Sequence, residues 1–89
     1  MKSKLTREFR DRYRQMPAEV RKSARDAYAQ FRRNPQERGL GFKRVHSGQP
    51  IVSARVGRRY RVVGVQEGDL VVWFWIGSHA EYDQLLKRL

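Results

Sequence analysis

No cysteine occurs in the chain, which removes disulfides, zinc–thiolate sites and cysteine nucleophiles together and leaves a reducing compartment open to it. Acidic side chains are scarce: 9 Asp and Glu stand against 20 Lys and Arg, a formal charge of +11. A charge so far from zero opposes compaction by self-repulsion and fits a chain whose partner is an anion, nucleic acid foremost. Solubility alone, or neutralisation by an acidic protein, is the competing reading. Long apolar runs are missing too. The longest, Leu70 to Ile76, is far shorter than the roughly 20 residues that span a bilayer. The charged start Met1-Lys2-Ser3-Lys4-Leu5-Thr6-Arg7 leads into no apolar segment, so it does not read as a secretory signal, and a soluble cytoplasmic protein is expected. With 89 residues and no repeat, low-complexity tract or linker, residues 1–89 are expected to form a single domain of modest stability around one core.

What is present divides into a helical half and an extended half. Leu5, Phe9, Tyr13 and Met16 recur at helical spacing among arginines, predicting an amphipathic helix from Leu5 to Met16 with Thr6 or Ser3 as cap. Pro17 and Glu19 suit the first turn of a second helix running to Arg33, with Val20, Ala24, Ala27 and Phe31 inward. The short joint makes the two an antiparallel hairpin, in which Ala24 and Ala27 are small enough to admit a close neighbour. Beyond Gly39 the periodicity becomes extended. Strands are expected over Leu40 to His46, Ile51 to Val56, Arg59 to Gln66 and Leu70 to Ile76. A loop centred on Glu67-Gly68 would pair Val65 with Leu70, Val63 with Val72, Arg61 with Phe74 and Tyr60 with Trp75. One face then carries Tyr60, Val62, Val71, Trp73 and Trp75, and the other Arg61, Val63, Val65, Leu70, Val72, Phe74 and Ile76. Both faces need cover, one from the helix hairpin and part of the other from a C-terminal helix. Ser78 followed by Glu81 is a capping box, so that helix starts at His79, with Tyr82, Leu85, Leu86 and Leu89 on its apolar stripe. The expected architecture is α+β: an N-terminal helix hairpin on a small, mostly antiparallel sheet of about four strands, and a C-terminal helix.

The residues suited to chemistry gather near that last junction. His79 and Tyr82 share the first turn of the helix. Arg61 alternates with valines on the neighbouring strand, Arg55 lies on the strand before it, and Lys43, Arg44 and His46 come from the first. Arg55, Arg58, Arg59 and Arg61 form a dense basic cluster. Cleavage of RNA by its own 2′-hydroxyl needs a proton acceptor, a proton donor and cations for the charge that builds at phosphorus. Histidine can fill either proton role, and guanidinium forks match phosphate oxygens. The plainer alternatives are a solvated His79, a core Tyr82, Trp73 and Trp75 as core rather than base-stacking residues, solvated turn arginines, and His46 as a loop residue.

The helix hairpin, then Phe42-Lys43-Arg44-Val45, then Ser53-Ala54-Arg55-Val56-Gly57-Arg58-Arg59-Tyr60-Arg61-Val62-Val63-Gly64, then Trp73-Phe74-Trp75-Ile76-Gly77-Ser78-His79-Ala80-Glu81-Tyr82-Asp83 together resemble the RelE/ParE superfamily of bacterial type II toxins over nearly the whole chain. The Ile-Gly-Ser-His-x-x-Tyr junction is similar to the end of YafQ-like and HigB-like members. The resemblance implies a RelE-like fold and, in the RelE branch, cleavage of mRNA in the ribosomal A site without metal or other cofactor, blocked by an antitoxin. By motif, Arg61 matches the phosphate-contacting arginine, His79 the proton-transferring histidine, Lys43 the basic first strand and, more loosely, Tyr82 the C-terminal aromatic. Arg55, Arg44, Arg59 and His46 complete the expected RNA-binding set. The chain departs from the pattern where the usual N-terminal strand is missing or reduced to Met1 to Lys4, and where the first strand is less rich in lysine. The ParE branch shares the fold but inhibits DNA gyrase without cutting RNA, so the resemblance leaves that alternative, and a degenerate RNA-binding orphan toxin, open.

Overall fold

A computed structural model describes residues 1–89 as three helices and one five-stranded sheet. In chain order these are β1 (Lys2–Leu5), α1 (Arg7–Arg14), α2 (Ala18–Arg33), a 3-10 turn (Arg38–Leu40), β2 (Lys43–Arg44), β3 (Ile51–Val56), β4 (Tyr60–Glu67), β5 (Leu70–Ser78) and α3 (His79–Arg88). The sheet order is β1-β5-β4-β3-β2, antiparallel except for the β1–β5 pair. The α+β architecture is the expected one, with a fifth strand where only a remnant was anticipated.

Local chemistry accounts for the boundaries. Leu5 belongs to β1 rather than to the first helix, because the Thr6 hydroxyl accepts from the Phe9 amide and α1 starts at Arg7, two residues later than expected. Pro17 stands at the N-cap of α2 and Asn34 at its C-cap. The strand expected from Leu40 to His46 contracts to Lys43–Arg44. Leu40 is a buried plug, 2% exposed, and Gly41 turns the chain with φ +54, a left-handed conformation open mainly to glycine.

The helix hairpin covers one face of the sheet, where Phe9, Phe31, Leu40, Val52, Ala54, Val56, Val62, Val71, Trp73 and Ile76 make the main core. Edge-to-face contacts among Phe31, Phe42 and Trp73 knit it. α1 lies on β5 and α2 on β3. Ala24 and Ala27 line an apolar groove of about 290 Å³ between the helices and the sheet instead of receiving α1 closely. α3 covers the other face by packing Tyr82 with Ile51 and Val63, with Leu85 and Leu86 alongside.

The β4–β5 register differs from the expected one. The two-residue turn is Gly68-Asp69, so Glu67 pairs with Leu70 and Val65 with Val72. A β-bulge then intervenes: Gly64 pairs with Trp73 but Val63 pairs with Trp75, leaving Phe74 as the extra residue. Past the bulge Val62 pairs with Ile76, Arg61 with Gly77 and Tyr60 with Ser78. The extra residue divides the two tryptophans, which were expected together. Trp73 joins Ile76 in the helix-covered core, whereas Trp75 packs on the α3 side. Gly64 permits the bulge, since a Cβ there would come within 2.8 Å of the Val72 carbonyl oxygen and 2.9 Å of the Trp73 ring.

Candidate functional site

The capping box at the end of β5 forms as expected. Ser78 Oγ accepts from the Glu81 amide at 3.2 Å, and Glu81 Oε1 accepts from the Ser78 amide at 2.9 Å. That backbone amide is the main cause holding the Glu81 carboxyl below the usual carboxylate range; the Ser78 hydroxyl and the Arg12 guanidinium lower it further against the opposing effect of burial. The His79 amide is tied to the Arg59 carbonyl at 2.7 Å, so the first residue of α3 is anchored to the β3–β4 turn.

Arg12 braces the junction from α1, and its sequence position contains no hint of this. Its Nε donates to the Ile76 carbonyl at 2.6 Å, on the stretch of β5 beyond the reach of β1. Its guanidinium lies over the Trp75 ring at 4.8 Å and 3.6 Å from Glu81 Oε2. Gly77 makes room for this stack, because a Cβ there would sit 2.5 Å from the indole and 3.0 Å from Arg12 Nη2.

Beside α3, on the same face of the sheet, is a polar cleft of about 130 Å³ lined by Gly41, Lys43, Ser53, Ala54, Arg55, Arg61, His79 and Tyr82. Register brings these residues together. Arg55 and Arg61 are direct cross-strand partners, as are Lys43 and Ser53, and cross-strand partners share a face. Like charges directly opposite one another are unfavourable, yet neither arginine, nor Lys43, has a carboxylate within ion-pair distance; none of the five ion pairs of the molecule includes any of the three. Arg61 donates to the Tyr60 carbonyl at 2.9 Å. The cleft therefore holds three cations uncompensated by protein anions, which is an arrangement for receiving one.

His79 stands at the mouth, its side chain 55% exposed, with Nε2 3.7 Å from Asp83 Oδ2 one helical turn on. Its ring stacks near Tyr82, with centroids 6.0 Å apart and planes at 24°. Tyr82 is core and cleft at once: 6% exposed, with its hydroxyl 2.9 Å from Ser53 Oγ at the cleft floor. Of the expected site residues, His79, Arg61, Tyr82, Arg55 and Lys43 thus converge. Arg44, Arg59 and His46 do not. Arg44 pairs with Val52, so it points to the opposite face, where its Nε reaches the His46 carbonyl at 3.3 Å. Arg59 sits in the exposed β3–β4 turn. His46 organises its own loop: Nδ1 accepts from the Gly48 and Gln49 amides, which leaves Nε2–H to donate to the Leu89 main-chain oxygen at 2.8 Å. Ser53 and Gly41 belong to the cleft without having been singled out. Ser53 could have been found by counting two residues back from Arg55 along the strand.

The sequence profile of the ParE-like toxin domain matches residues 18–84, a span that contains the whole cleft. The chain belongs to the ParE-like toxin family. A crystal structure of a copper-bound mutant toxin from Helicobacter pylori has the same fold, with a TM-score of 0.62 over 91% of this chain and 97% of that one at 15% identity. No curated protein matches the sequence. The protein is accordingly a toxin of the RelE/ParE superfamily, whose members work against an antitoxin partner. No helix in this ParE-like toxin is long and apolar enough to cross a membrane.

Proposed function

We propose that this ParE-like toxin is a ribosome-dependent mRNA endonuclease. The observation that carries the reading is the cleft in which a histidine and a tyrosine face three cations with no carboxylate partner. In this reading Arg55 and Arg61 grip the scissile phosphate by their guanidinium forks and stabilise the charge that accumulates as the 2′-oxygen attacks phosphorus. The 2′-oxygen–phosphorus bond forms, the phosphorus–5′-oxygen bond breaks, and the products are a 2′,3′-cyclic phosphate and a 5′-hydroxyl. His79 handles one of the two protons in transit. Lys43 adds neutralising charge, Tyr82 positions the nucleotide, and Arg44 and Arg59, outside the cleft, contribute to the field that steers RNA toward it. An acidic antitoxin that neutralises the same surface is the expected inhibitor.

The profile match to a ParE-like domain favours a second reading, inhibition of DNA gyrase through the same fold without cleavage. Induction of the toxin with mapping of mRNA 5′ ends separates the two. Codon-phased cuts that fall about 10²–10⁴-fold in His79→Ala, and are lost as well in Arg61→Ala, are the expected result. Toxicity without cuts, accompanied by damaged or mis-supercoiled DNA, would establish the gyrase reading instead, and absence of toxicity would leave a degenerate RNA-binding protein.

A further inference from the structure

Ser53 is the only buried side chain of the core that is polar and not aromatic, at 1% exposure. Its Oγ meets the Tyr82 hydroxyl at 2.9 Å, and both residues line the cleft. Each hydroxyl carries one proton and two lone pairs. Their mutual hydrogen bond uses one proton and one lone pair, and neither oxygen has a second protein partner. One O–H donor and three lone pairs therefore remain at the floor of the cleft. A phosphate oxygen would use only the donor, and Arg55, Arg61 and Lys43 already supply donors in excess. A group that both donates and accepts would satisfy both. Next to a phosphodiester, the group of that kind which RNA has and DNA lacks is the ribose 2′-hydroxyl.

We infer that the Ser53–Tyr82 hydroxyl pair reads the ribose 2′-hydroxyl of the nucleotide whose phosphate lies between Arg55 and Arg61, making Ser53 a specificity-determining residue of the cleft. The inference rests on the RNA-cleaving reading above and adds to it the means by which RNA is told from DNA. The register supports the pairing of roles: Ser53 and Arg55 are two residues apart on one face of β3, and Arg61 lies directly across from Arg55.

The test titrates adenosine 3′-monophosphate and 2′-deoxyadenosine 3′-monophosphate into the full chain and follows amide and arginine side-chain NMR signals. The wild type is expected to favour the ribonucleotide by about fivefold to tenfold, the net worth of one hydrogen bond. Ser53→Ala and Tyr82→Phe should each bring that ratio close to one, whereas Arg88→Ala, at the far end of α3, should preserve it. Because the readout is a ratio, a general loss of affinity that weakens both nucleotides equally counts against the proposal, and the amide spectrum of each variant confirms the fold. A wild-type ratio near one, or a ratio unchanged in both hydroxyl variants, overturns the inference and leaves the RNA reading standing. Failure of both nucleotides to bind the cleft removes the RNA reading and the inference with it.

Discussion

A carboxylate at the third position of a helix can act as a hydrogen-bond acceptor, as a charge, or as both, and Glu81 does both at the start of α3. Its folded-state pKa lies below the ordinary value, so its contribution to stability is fully present above the unfolded pKa, about 4.3, and is lost as pH falls through the lower folded value. Glu81→Gln keeps an acceptor for the Ser78 amide while removing the charge. The stability difference between wild type and this variant, measured by urea unfolding across a pH series, should be constant from neutrality to about pH 5 and shrink in more acid solution. A difference independent of pH would show that only the hydrogen bond matters. At this scale, the site was legible wherever its signals were local. Ser78 and Glu81 announce the helix start within four residues, which puts His79 and Tyr82 on one turn, and the alternation of Arg61 with valines aims it at one face. Arg12 was not legible, and Ser53 was legible only in its place on the Arg55 face, not in its role. Arg12 acts on a carbonyl 64 positions away, and a serine in an apolar strand gains meaning only once the hydroxyl that faces it is known. His46 illustrates the converse, a histidine eligible by residue type whose ring nitrogens are taken up by its own loop and by Leu89.

Among the elements, β5 departs most from what its composition suggested. Apolar residues fill it from Leu70 to Ile76, so no polar residue marks which face is which, and alternation could not reveal that one residue is extra. The bulge that supplies the shift depends on Gly64. In an ordinary strand interior, replacing glycine with alanine removes a destabilisation of roughly 0.5–1 kcal/mol. At Gly64 the new Cβ would press on the Val72 carbonyl and the Trp73 ring, and Gly64→Ala should instead destabilise the fold by about 1–3 kcal/mol, the usual cost of overpacking. Chemical denaturation decides it; a variant as stable as the wild type would mean that the bulge can relax around the methyl group. The helices were better legible than the strands because caps and 3.6-residue periodicity are local, whereas strand register depends on the turn and on any bulge. The contraction of β2 to Lys43–Arg44 has the same origin: Leu40 is apolar enough for a strand, but it is drawn inward as a plug before the strand begins.

For the molecule as a whole, charge sets the terms. With +11 in formal charge spread over a body of 33 × 31 × 25 Å, cations on opposite sides interact at about 0.01 M salt, where the Debye length is about 30 Å, and scarcely do so at about 0.15 M, where it is about 8 Å. The ion pairs that salt would weaken are few, and those between side chains are largely solvent-exposed, hence worth little individually. Thermal unfolding should therefore shift to higher temperature as NaCl rises over this range, even as any binding to nucleic acid becomes weaker, since phosphate contacts lose affinity with salt. A melting temperature that fell with salt would mean that the exposed pairs outweigh the self-repulsion.

The extra residue in β5 also makes the protein its own optical instrument. Trp73 emits from the helix-covered core, where its indole N–H has no hydrogen-bond partner, and Trp75 from the opposite face beneath a guanidinium. Trp73→Phe and Trp75→Phe would leave single fluorophores that report separately on the two layers, the first variant seeing events at the cleft side and the second those at the helix hairpin.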